Sequence, residues 1–133
     1  MSHLQTVEGI YQAFGRGDVP AILSVLSESV DWEYGSTSDD VPWLVRRAGL
    51  DGAGRFFASL AGLDIHRFVP TRLLDGGSVV VALIDLEFTV KATGKRVVEE
   101  DEVHIWHFDD GGKVSRFRHR VDTHQHVLAC RRG

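Results

Sequence analysis

Leu4, Val7, Ile10, Tyr11 and Phe14 recur at the three- and four-residue spacing of one helix face. That spacing predicts an amphipathic helix over residues 3–15. Gly15, Arg16 and Gly17 stop it, and Asp18 is placed to cap a second, shorter helix that tolerates Pro20 in its first turn. Ile22, Leu23 and Leu26 form its buried stripe. From Ser29 to Gly35 the period becomes two: Val30, Trp32 and Tyr34 alternate with Asp31 and Glu33, predicting a strand with an aromatic inner face. Gly35 to Arg47 is polar, contains Pro42 and Trp43, and is long enough to act as a flap. Asp51 is expected to cap a third helix that buries Phe56, Phe57 and Leu60.

The rest of the pattern is β. Asp64 to Leu74 reads as a strand in which Pro70 favours an edge or a bulge. Ser78 to Lys91 has a wholly apolar even face, from Val80 to Val90, and an odd face that begins apolar and ends with Asp85, Glu87 and Thr89. A strand apolar on both faces is expected to be covered on both, by helices on one side and a partner subunit on the other. Arg96 to Thr123 predicts a long hairpin with its turn at residues 109–112, DDGG. Strict alternation puts Val98, Glu100, Glu102, His104, Trp106 and Phe108 on one face with Phe117, His119 and Val121. Helices followed by antiparallel strands make an α+β class, a curved sheet wrapped round helices with a tapered cavity between. Finding no repeat or linker, we expect one domain over residues 1–133.

Composition narrows the function. The formal charge of −4 argues against a nucleic-acid binder. The single cysteine, Cys130, fits a reducing compartment and is expected to be inert. The first residues lack a signal-peptide pattern, and no apolar run approaches the roughly 20 residues of a membrane helix, so a cytoplasmic location without membrane contact is expected.

Within the hairpin, an otherwise apolar face holding Glu102, His104 and His119 has the character of a pocket wall. A loop of residues 109–112 places His119 across from Glu102; a two-residue loop places it across from His104. Facing β-carbons lie about 4.5–5.5 Å apart, so His119 meets a carboxylate or an imidazole in either register. A histidine beside a carboxylate is a proton-transfer pair, although such pairs also serve purely structural ends. The seven histidines invite a metal, but His107 points away and His124 and His126 follow the last strand, so none is expected. Arg116, Arg118 and Arg120 share the outer face, where pairing with Glu99 and Asp101 is expected.

The stretches IYQAF (residues 10–14), Gly17–Asp18, LSESVDW (26–32), VHIWHF (103–108), the turn exit at residues 112–114 and residues 118–123 resemble the SnoaL-like branch of the nuclear transport factor 2-like superfamily. The resemblance implies a cone of three helices in the N-terminal half against a curved, mostly antiparallel sheet, a pocket at the wide end, and a homodimer through the sheet. Its members include polyketide cyclases, ketosteroid isomerases, epoxide hydrolases, dehydratases and binding proteins. His104 falls where the steroid isomerases keep an acidic oxyanion donor, Tyr34 where they keep an aspartate base, and Ile10 where they keep a tyrosine, so that activity is not expected. His119 falls where the cyclases and epoxide hydrolases carry a catalytic aspartate, while Leu86 and Phe88 stand near the hydrolases' Arg/Asp pair. The implied function is cofactor-independent acid–base chemistry on a small hydrophobic, carbonyl-bearing molecule. In it His119 is the base oriented by Glu102, and His104 or Tyr34 donates a hydrogen bond to the developing oxyanion. Trp32, Trp43, Phe57, Phe88, Trp106 and Phe117 shape the pocket. The alternatives are a binding protein without turnover and a dimerisation module with an incidental pocket.

Overall fold

The computed structural model describes residues 2–35 and 38–132. Ser36 and Thr37, within the expected flap, lie outside the described residues. Helix α1 is His3–Gly15, as its apolar spacing requires, with Ser2 and Gln5 forming a reciprocal cap. Asp18 caps α2, Val19–Leu23, through the Ala21 N–H. Helix α3, Gly49–Ser59, begins before Asp51, which sits in its first turn instead of capping it. Ahead of it, a short turn at Pro42–Leu44 folds Trp43 into the interior.

Six strands form one sheet: β1 Leu26–Trp32, β2 Arg47–Ala48, β3 Leu63–Asp75, β4 Val79–Val90, β5 Lys95–Phe108 and β6 Val114–Arg120. Their order is β2-β1-β6-β5-β4-β3, with β1 parallel to β6 and the other neighbours antiparallel. Pro70 lies on the edge strand β3, beside a register irregularity, where its missing N–H is tolerated. The even side chains of β4 are buried, and Asp85 and Glu87 face outward to Arg67 and Arg96. Trp32, Phe88 and Phe117 are among the largest wholly buried side chains, each worth about 1.5–3 kcal/mol of transfer free energy.

A fourth helix, α4 Thr123–Cys130, was not anticipated. Asp122 caps it and Gln125 bonds back to Asp122, while the Gln125 amide also bridges the Val98 backbone of β5. Among the described residues no helix is long and apolar enough to cross a membrane.

Two places break the alternation of the strands, and both matter for the interior. Glu33 and Asp101 are the two non-glycine described residues with left-handed backbone, at φ 60° and 59°. In β5, Glu102 pairs with Ile84 and Glu99 with Leu86, so Glu100 and Asp101 together oppose Asp85 in a bulge. The bulge inverts the face expected of the first half of the strand. Val98 and Glu100 point outward, Val98 being 59% exposed, while Val97 and Glu99 turn inward. Likewise Trp32 and Glu33 are consecutive and both buried.

A left-handed residue with a Cβ is strained, which gives a direct test. Asp101→Gly is expected to match or exceed the parent stability, whereas Asp101→Val loses about 1–2 kcal/mol in urea unfolding. Equal midpoints for the two variants would contradict the strained bulge.

Candidate functional site

The cavity opens between α1, α3, the Trp43 turn and the concave face of the sheet. Its volume is about 70 Å³, room for several waters or a small ligand. Half of the residues in its wall are Phe, Trp or Tyr, and Ile and Leu make up most of the rest. Trp32, Trp43, Phe57, Phe88, Trp106 and Phe117, the six side chains expected to shape it, all line it, and so do Glu102, His104 and His119.

The hairpin settles which groups meet. The turn spans residues 109–113, closed by Asp109 N–H to Lys113 O at 2.9 Å, and an extra residue at Ser115 shifts the pairing. His119 therefore lies across from His104, with ring centroids 4.8 Å apart and planes nearly perpendicular. It is not oriented by Glu102. The His119 Nδ1 lies 2.5 Å from Glu33 Oε2, and the backbone N–H of His119 donates to Glu33 Oε1 at 3.0 Å. Glu102 instead holds His104, Oε2 to Nε2 at 2.8 Å.

Tautomers follow from which partners can only donate. The Trp106 indole N–H donates to the Tyr11 hydroxyl at 3.0 Å, so Tyr11 is free to give its own proton to His104 Nδ1 at 2.7 Å. His104 then carries its hydrogen on Nε2 and donates it to the Glu102 carboxylate. Burial depresses the His104 pKa against the opposing effect of Glu102, which keeps the ring neutral. Burial pushes Glu102 up, but the bond to His104 and the nearby imidazoles hold it below its usual range. Burial raises the Tyr11 phenol well above its ordinary value, so it stays protonated.

His126, on α4, forms a third such unit. It is 1% exposed rather than a surface histidine of the tail. The Trp43 indole donates to its Nδ1 at 2.9 Å, and its Nε2 donates to Glu99, whose other oxygen accepts the Asp122 N–H at 3.1 Å. His104 and His126 thus spend both ring nitrogens inside the protein. Among the described residues, His119 Nε2 has no such partner.

Burial pulls the His119 pKa down, but the charge and hydrogen bond of Glu33, joined by Glu102 and Glu99, bring it above the ordinary histidine value. The pair can therefore hold a proton or accept one near neutrality. Two sets of side chains bring metal-capable atoms within 4.8 Å of one another: Glu102 with His104 and His119, and Glu99 with Glu102 and His126. A cation in either would have to take a ring nitrogen of His104 or His126 from its present hydrogen bond.

Tyr34 is not in the cavity. The left-handed turn at Glu33 sends it to the outer face, where its hydroxyl meets His107 Nε2 at 2.7 Å and Arg116 stacks on its ring at 3.8 Å. The expected arginine ladder is likewise displaced. Register sets Arg116, Arg118 and Arg120 against His107, Ile105 and Val103, and Glu99 faces inward. Sequence reasoning also passed over Tyr11, Glu33, Glu99 and His126.

Residues 7–117 match the SnoaL-like domain family. The chain belongs to that family. No curated protein matches it. Among solved structures, this SnoaL-like protein is similar to a nuclear transport factor 2-like protein of unknown function from Burkholderia pseudomallei, with 25% identity, a TM-score of 0.79 and 98% of each chain covered. A nuclear transport factor 2-like protein from Burkholderia thailandensis aligns with TM-score 0.84, 23% identity and 98% of each chain. TerC, co-crystallised with polyporic acid, aligns with TM-score 0.78 and 22% identity over 96% of this chain and 97% of that one. The fold, an α+β cone with a curved sheet, is common to all three.

Proposed function

We propose that this SnoaL-like protein carries out cofactor-independent acid–base chemistry on a small hydrophobic molecule bearing a carbonyl group, with His119 as the base. The observation that carries this is the asymmetry of the three imidazoles that line the cavity. His104 and His126 are tied at both nitrogens, whereas His119 is held at Nδ1 by Glu33 and has Nε2 left to work with. A carboxylate on Nδ1 fixes the tautomer that makes Nε2 basic and stabilises the imidazolium that forms. The largely apolar, aromatic-rich wall supports an apolar ligand, and TerC, a neighbour of this fold, was co-crystallised with polyporic acid.

In the elementary step, the C–H bond beside the carbonyl breaks, its proton passes to His119 Nε2, and the electron pair moves onto the carbonyl oxygen as an enolate. Where a C=C double bond is conjugated with the enolate, return of the proton to its far carbon gives an isomer. Where the molecule carries a second carbonyl, attack of the enolate carbon on it closes a ring and the His119 proton passes to the new alkoxide.

Exchange of the α-hydrogens of 2-indanone in D2O, followed by NMR, tests this without knowledge of the natural substrate. Enzyme-dependent exchange is expected to rise with pH, since the neutral imidazole is the active form, with its midpoint above the ordinary histidine value of about 6.5. The titratable groups facing His119 are Glu33 beyond β1 and Glu102, Glu99 and the neutral His104 on β5, while α3 places the Phe56 ring 5.4 Å away. Glu33→Gln removes the principal anion, so the midpoint is expected to move to lower pH and the plateau to fall by about tenfold. An unmoved midpoint would separate Glu33 from the reaction. Binding of 2-indanone without any enzyme-dependent exchange would leave a binding protein as the function.

A further inference from the structure

The protein has three tryptophans, and all three line the cavity. Two of their indole N–H groups are hydrogen-bonded, Trp43 to His126 and Trp106 to Tyr11. The third is not. Trp32 is 1% exposed, and among the described residues its Nε1 has no hydrogen-bond partner. The rings packed about it are Phe117 at 4.2 Å, Phe56 at 5.1 Å, Phe57 at 5.6 Å and Trp106 at 5.9 Å, none of which offers an oxygen. A buried donor without an acceptor costs stability, and such groups are rare enough to require a reason. This unsatisfied N–H belongs to a side chain that lines the cavity.

We infer that the Trp32 indole N–H is the cavity's hydrogen-bond donor for a ligand oxygen, the counterpart of His119 as acceptor. Phe56 and Phe117 each pack against both rings. Phe117 is 4.2 Å from Trp32 and 4.7 Å from His119, and Phe56 is 5.1 Å and 5.4 Å from them. The donor's ring and the base's ring thus share the same two phenyl neighbours. A ligand that uses both is flat and apolar, with a carbonyl oxygen toward Trp32 and an acidic hydrogen on the adjacent carbon toward His119. The consecutive residues Trp32 and Glu33 then have complementary tasks, one positioning the oxygen and the other the base. This extends the acid–base reading above and names its oxygen contact.

The test uses 2-indanone against indane, which has the same carbon skeleton without the oxygen, on the 15N-labelled full chain. Titration with 2-indanone is expected to move the Trp32 indole resonance downfield, with the Trp43 and Trp106 resonances less affected, and indane is expected not to. The wild-type protein is expected to prefer 2-indanone by about tenfold, and Trp32→Phe to abolish that preference while still binding indane. An unmoved Trp32 resonance, an equal response to indane, or failure of 2-indanone to bind better than indane would each overturn the inference. His119→Ala separates it from the base assignment. Loss of exchange with the indole shift retained supports both, whereas exchange retained with the shift present removes the base and leaves the Trp32 contact standing.

Discussion

Replacing His119 with alanine is expected to lower enzyme-dependent exchange of 2-indanone at least about 100-fold while changing its affinity by less than about threefold. The size of the effect follows from the isolation of the site. His104 and His126 cannot substitute, since accepting a proton would require either ring to give up the Tyr11 or Trp43 donor at Nδ1. Glu102 is nearby, but its oxygen Oε2 already accepts from His104. The affinity is spared because the cavity wall is aromatic, and truncating one imidazole removes little of it. Alanine also strips Glu33 of its side-chain partner, leaving that buried carboxylate with the residue 119 backbone N–H. Some loss of stability is therefore expected, and unchanged ligand affinity is the control that the variant remains folded. Undiminished exchange would remove His119 from the mechanism.

How much of this was legible beforehand depended on whether a residue obeyed the local period. The apolar stripe of α1, the Asp18 cap, the edge placement of Pro70 and the buried face of β4 all follow from spacing, and the structure has them there. Of the six aromatic side chains expected in the wall, Trp32, Phe57, Phe88, Trp106 and Phe117 obey the same rule, whereas Trp43 comes from the turn at Pro42–Leu44. The acids did not. Alternation sends Glu33 and Glu99 outward, and both are inside because non-glycine residues adopt left-handed angles at positions 33 and 101. No local signal marks either turn, since neither Glu nor Asp advertises a positive φ as glycine does. Tyr34 went astray for the same reason, carried to the outer face by the turn that brings Glu33 in. Two omissions did leave traces. A tyrosine on the core stripe of α1 must find a partner for its hydroxyl, which pointed to Tyr11. Asp122 followed three residues later by Gln125 is a helix-start signature, which would have revealed α4 and with it the inward side of His126.

Glu99→Ala is expected to destabilise the protein by about 3 kcal/mol, while Glu100→Ala changes it by less than about 0.5 kcal/mol. Strict alternation along β5 gives the opposite ranking, so the two variants test the Asp101 bulge as well as the residue. Glu99 is buried, and its carboxylate accepts from His126 Nε2 and from the Asp122 N–H at the start of α4. Alanine leaves both donors without that acceptor in the protein interior. The loss spreads because His126 also accepts from Trp43, so α4 and the Pro42–Leu44 turn share one anchor. Glu99→Gln keeps an oxygen for one donor and is expected to lose less. Amide exchange would locate the damage. Protection should fall first at residues 123–130 in Glu99→Ala, and faster opening confined instead to the hairpin turn would show that α4 is held by its apolar contacts and not by this pair.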